Sequence, residues 1–119
     1  MPRYAILVWG PSESRPHGGY GDEQTMRDTL AAIGAFNERL REAGSLVLVE
    51  GLAGAEASTV VDARGPDVLI SDGPYVESKE GVNGLWVVDL ADLDEALALA
   101  TEASRLCDRP LEIRPVGRL

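Results

Sequence analysis

The chain holds a single cysteine and a single histidine in 119 residues. With Cys107 as the lone thiol no internal disulfide can form, and with His17 as the lone imidazole the common zinc patterns fall away. No EF-hand loop is present either, so no metal site is expected. Long apolar runs are missing: the first, Tyr4 to Trp9, stops at Gly10-Pro11 and shows no signal-peptide cleavage site. The expectation is a cytoplasmic protein. No stretch gathers Lys and Arg into a stripe, and 11 basic residues against 20 acidic ones give a net charge of −9. Such a surface repels phosphate backbones and anionic lipid heads, so neither nucleic acid nor membrane is an expected partner. A phosphate-binding glycine motif is lacking too. Gly18-Gly19-Tyr20-Gly21 does not directly follow a strand, and no cofactor is expected.

What is present reads as one ordinary globular domain over residues 1–119, 45% hydrophobic and 26% charged. Tyr4 to Trp9 is a buried strand. Residues 10–22, rich in Gly, Pro and Ser, form a mobile loop. From Glu23 to Ala43 the apolar residues Met26, Leu30, Ile33, Phe36 and Leu40 recur at helical spacing, and Gly44 follows where a left-handed cap is wanted. Leu46 to Val49 reads as a strand buried on both faces or nearly so. Thr59-Val60-Val61 and Val68-Leu69-Ile70 flank an Arg64-Gly65-Pro66-Asp67 turn, and Gly84 to Leu90 is a further strand. A second helix opens at Asp92, with Glu95 three residues on, and carries a stripe of Leu93, Ala96, Leu97, Ala100 and Ala103. Leu111 to Val116 alternates and closes the chain, its Pro115 suiting an edge or strand end.

The order β-α-β-β-(β)-α-β predicts an α+β fold, the ferredoxin-like split βαβ with a central hairpin elaboration. Two helices cover only one face of an antiparallel sheet, yet strands 4–9, 46–49 and 85–88 are apolar on both. A second copy is the economical cover for the other face, so a homodimer is expected.

The segment Ser71-Asp72-Gly73-Pro74-Tyr75-Val76-Glu77-Ser78-Lys79-Glu80 resembles the signature of the YCII-related family in its DGPF branch, with Tyr75 in place of the family's phenylalanine. Glu50-Gly51-Leu52, Ala57-Ser58-Thr59-Val60, Gly84-Leu85-Trp86, Asp94-Glu95-Ala96 and Glu112-Ile113-Arg114-Pro115 fall where that family's other motifs lie. The resemblance runs from Tyr4 to Val116 and implies a dimeric α+β barrel in which the sheets of two subunits face one another. It implies little about activity. The shorter YciI-like relatives are associated with a His/Asp dyad whose histidine lies on the first helix. Here Glu23 to Ala43 has none and His17 precedes it, so the dyad does not carry over. The family also resembles proteins encoded near, or joined to, extracytoplasmic-function sigma factors, which leaves a sigma-factor partner and a regulatory role open.

Asp72, Glu77, Lys79 and Glu80 crowd four charges into nine residues and are the catalytic candidates, with Asp72, Glu77 and Lys79 foremost. Lining a dimer cleft, such carboxylates would raise one another's pKa for acid–base work, and Lys79 would anchor an anion. The plainer reading is a solvated hairpin in which Asp72 caps the Gly73-Pro74 turn and Glu77 pairs with Lys79. Tyr75 offers a phenol to a ligand, or is a half-buried aromatic. Glu50, ending a strand, meets either the cleft or solvent, with Arg114 as an opposite charge to neutralise it if close. Trp9 and Trp86 read as core or interface, or as walls of an apolar pocket. His17 with Ser12 or Ser14 makes a nucleophile pair only on a rigid support, and Cys107 reads as a packed small residue. The functional expectation is a small molecule bound between the sheets of a homodimer, handled by acid–base chemistry without a cofactor. A non-catalytic partner protein is the alternative.

Overall fold

A computed structural model describes residues 1–117. Strand β1 (Arg3–Pro11) leads through an irregular turn (Pro16–Gly19), kinked where His17 and Gly18 take positive φ, to helix α1 (Glu23–Glu42), then β2 (Leu46–Gly51). A short 3-10 turn (Ala55–Ala57), β3 (Thr59–Asp62), β4 (Leu69–Asp72) and β5 (Glu80–Asp89) follow. Helix α2 (Leu93–Cys107) and β6 (Leu111–Pro115) complete the chain. Four strands form one antiparallel sheet in the order β2-β5-β1-β6, which is consistent with a ferredoxin-like α+β fold. β3 and β4 pair only with each other, as the hairpin elaboration between β2 and β5.

Local chemistry sets the helix ends. The Asp22 carboxylate accepts from the Thr25 N–H at 2.7 Å, giving an orphan donor of the first α1 turn its partner. At the other end Gly44 has φ 73°, the Ser45 N–H reaches Leu40 O at 3.0 Å, and the Gly44 N–H reaches Arg41 O at 3.1 Å. These paired bonds close the helix as the glycine after Ala43 predicts. For α2, Asp92 accepts from the Glu95 N–H at 2.9 Å, while the Glu95 carboxylate reaches back to the Ala91 N–H at 2.8 Å. Its last turn is closed by a non-glycine, Asp108, with φ 52°.

Pairing in register divides the sheet into two faces. Tyr4, Ile6 and Val8 of β1 stand opposite Val88, Trp86 and Gly84 of β5, and Val49 of β2 stands opposite Trp86. These residues meet Phe36 and Leu40 of α1 and Ala96, Ala100, Ala103 and Cys107 of α2 in one core. The Phe36 and Trp86 rings pack edge to face with centroids 5.5 Å apart. The other row, Ala5, Leu7 and Trp9 with Val82, Leu85, Val87 and Leu48, points away from both helices. The least dimension of the chain is 19 Å, room for one sheet layer and one helix layer only.

Three details differ from what the sequence predicts. β2 is an edge strand, not one buried on both faces: Val47 and Leu48 are 45% and 41% exposed. The α2 stripe is narrower than expected, because Leu93 and Leu97 are half exposed and the contact with the sheet is made by the alanines and Cys107. β5 begins four residues earlier than Gly84, since Gly81 and Glu80 still pair with Gly10 and Pro11 across a bulge between Val8 and Trp9.

Phe36, 2% exposed, and Leu97, 50% exposed, test this division. Phe36→Ala is expected to cost about 3–5 kcal/mol, and Leu97→Ala no more than about 0.5 kcal/mol. The midpoint of urea unfolding measures both.

Candidate functional site

The helix-facing rows of side chains run out at one end of the sheet. There Gly51 of β2 stands opposite Gly84 of β5, so two adjacent strands present bare backbone beneath the amino-terminal half of α1. Gly84 has no room for anything larger, because a Cβ there would lie 2.9 Å from the Glu50 carbonyl oxygen. Farther along, Phe36 and Trp86 hold α1 on the sheet, and the Trp86 indole N–H donates to Asn37 Oδ1 at 2.7 Å. Between that clamp and the α1 amino terminus lies a cavity of about 630 Å³. Its size falls within the range of about 300–1,000 Å³ usual for small-molecule sites. Val8, Val49, Leu30, Ile33 and Trp86 give it an apolar wall, and Tyr20, Asn37, Asn83, Arg15 and Arg109 add polar groups.

The 10–22 segment, expected to be a mobile loop, forms one side of this cavity and is tied down at several points. Ser12 N–H bonds Lys79 O and Ala55 N–H bonds Ser12 O, each at 2.8 Å. The Ser14 N–H donates to the Glu56 carboxylate at 3.2 Å, and that carboxyl is held below its usual range, first by the Ser14 side chain and then by backbone N–H groups. Arg109, just past α2, donates through one terminal nitrogen to Gly18 O at 2.8 Å and through the other to Asp108 O at 3.0 Å. Its guanidinium stacks on Tyr20, 4.5 Å from the ring centroid. Burial pushes the Tyr20 phenol above its ordinary range, with the Arg109 charge opposing that rise. Cys107, also on the cavity wall, is buried, and burial raises its pKa. A thiol held protonated in this way is a packing group, as the sequence suggested.

The residues singled out from sequence are dispersed. Asp72 is exposed at the end of β4, paired with Thr59, and the Gly73 N–H bonds Ser58 O. Tyr75 is 75% exposed rather than half-buried, because the hairpin projects from the sheet. Glu77 and Lys79 border an adjoining concavity of about 490 Å³ with Ser12, Glu13 and Arg15, and make no ion pair with each other among the described residues. Glu80 borders another, beside Pro74 and Val76. Glu50 reaches the 630 Å³ cavity at the β2 edge, although its register with Leu85 turns its side chain to the opposite face of the sheet. Arg114 lies on β6, the far edge from β2, and bonds Glu112, so within one chain it does not neutralise Glu50. Trp9 stands on the uncovered face, its indole nitrogen buried without a hydrogen-bond partner among the described residues. His17 takes φ 55° in the loop, and among the described residues its side chain bonds neither Ser12 nor Ser14.

Asn37, Asn83, Tyr20 and Arg109 were not legible as a group, since four separate elements bring them together. The signal that was present is the pair of glycines, Gly51 at the end of β2 and Gly84 in the middle of β5. Asn37→Ala would strand the buried Trp86 N–H, at an expected cost of about 1–3 kcal/mol in urea unfolding.

The comparisons agree on one point. Residues 5–118 match the YCII-related domain family. A protein of Rhizobium meliloti, itself named only as uncharacterised, is 33% identical over 117 residues, covering 96% of this chain and 91% of that relative. From its first strand to beyond its last, the chain belongs to the YCII-related domain family.

Proposed function

We propose that this protein is a homodimeric binder of a small organic molecule, with the cavity under the amino-terminal half of α1 as its binding site. The observation that carries this reading is the combination at that cavity. Bare backbone at Gly51 and Gly84, an apolar wall and polar groups from four elements surround about 630 Å³. The cleft is open to solvent on one side, so a small molecule can enter it without the core being opened.

A second copy covers the remaining face. Leu7, Trp9, Leu85, Val87 and Leu48 form an apolar strip there, with the Arg3–Asp89 pair at one end and the Glu112–Arg114 pair along one edge. Charges of both signs on one patch suit pairing with an identical patch. The β3–β4 hairpin adds Val61, Leu69 and Ile70, all more than 60% exposed, as an arm for the same partner. With the sheets facing, this is a dimeric α+β barrel. The strip between them is filled by the partner, which moves the binding site to the helix side. The stretch from Asp72 to Glu80 then lies outside the cavity floor, with Glu77 and Lys79 as charges near its entrance beside Glu13 and Arg15.

Naphthol, a neutral molecule with an apolar body and one hydroxyl, is the test. In amide and indole NMR spectra it is expected to shift the Trp86 indole N–H and the backbone signals of Leu30, Ile33 and Gly84. Leu30→Trp, at a position 56% exposed, places an indole in the mouth and should abolish those shifts while the chain stays folded. Shifts confined to the hairpin and the open sheet face would refute the assignment.

A further inference from the structure

We infer that the cavity takes an organic anion, a carboxylate or a group of like charge on an apolar body, and that Asn83 and Arg109 receive the anionic end. This rests on the cavity being the binding site. Gly10 of β1 is the key to the geometry. A Cβ built on it would collide with the Asn83 side-chain nitrogen and lie 2.8 Å from Arg109 Nε. Two N–H donors from different elements therefore converge over a strand residue whose missing side chain makes the space. Neither has an acceptor among the hydrogen bonds of the described residues, although the two terminal nitrogens of Arg109 are both engaged. Asn37 adds a third donor: its Oδ1 is committed to Trp86, leaving its Nδ2 to the cavity.

The charge pattern gives the sign. Arg3, Arg27, Arg39, Arg41, Arg64 and Arg114 each bond a carboxylate. Among the described residues Arg109 bonds only backbone carbonyls, although it is partly buried in a chain with 20 acidic residues. A partly buried guanidinium ordinarily has a carboxylate close by. Here no carboxylate of the described residues bonds it, although Asp108 is its neighbour in the chain. Glu50 faces the other side of the sheet, Glu56 is engaged by Ser14, and Glu13 is exposed at the rim. Arg15, which also makes no ion pair among the described residues, adds a second cation at the mouth. An incoming anion is thus the partner that Arg109 lacks among the described residues.

Naphthoate and naphthamide share one apolar body and differ in charge, so their affinities for the full chain separate the two claims. Naphthoate is expected to bind at least about tenfold tighter, the loss typical of a missing charge-assisted hydrogen bond, and to shift the Arg109 Nε–H and Asn83 side-chain signals. Gly10→Ala, which crowds out both donors without deleting either, and Asn83→Ala should each weaken naphthoate more than naphthamide and so narrow the gap between the two affinities. Equal binding of both probes with shifts at Trp86 would overturn the anion assignment and leave the cavity assignment standing. An undiminished preference for naphthoate in Gly10→Ala would likewise overturn the anion assignment alone. No shift at Trp86 with either probe would overturn both.

Discussion

A single layer of helices can hide only one face of a sheet, and nearly every feature of this protein follows from how the sequence meets that constraint. The face towards the helices is filled by Tyr4, Ile6, Trp86 and Val88 against Phe36, Leu40 and three alanines of α2. Small residues on α2 meet the sheet directly, while α1 meets it through Phe36 packed edge to face on Trp86 of β5. The opposite face is nearly as apolar along its centre, yet no element of the described residues lies over it. One face builds the fold. The other is left for assembly, which is where the proposed second copy belongs.

The cavity is a consequence of the same packing taken to its end. Side chains that fill the layer between α1 and the sheet stop at Gly51 and Gly84, but α1 continues for several turns beyond the Phe36–Trp86 contact. Helix and strands therefore diverge into empty space instead of closing on it. The 10–22 segment closes one side, and Arg109 fixes it there through Gly18 and Tyr20. The same arginine contributes its remaining donor to the cavity. Scaffold and recognition thus share one side chain, as expected where a site must be held rigidly by its surroundings.

Much of the fold could be read before any coordinates. The helical spacing from Met26 to Leu40 with Gly44 behind it, the Asp92/Glu95 start and the Arg64-Gly65-Pro66-Asp67 turn are local signals, and local signals survive into three dimensions. Exposure was read less well where it depends on strand order. Leu46 to Val49 looks like an interior strand, but its place at the edge is decided by pairing with β5 forty residues away. The site was least legible of all. The charge cluster from Asp72 to Glu80 drew attention because its members are neighbours in sequence, yet the structure sets them outside the main cavity. Asn37, Asn83 and Arg109 are each ordinary in isolation, and only the register of β1 on β5 brings the last two over Gly10.

Sedimentation equilibrium of the unmodified chain over a wide range of concentrations addresses the central claim most directly, that the uncovered sheet face is completed by an identical molecule. The account predicts twice the mass of one chain, falling to the single-chain mass when Leu7 and Leu85 on that face are replaced by glutamate. A single-chain mass at every concentration for the unmodified protein would contradict it.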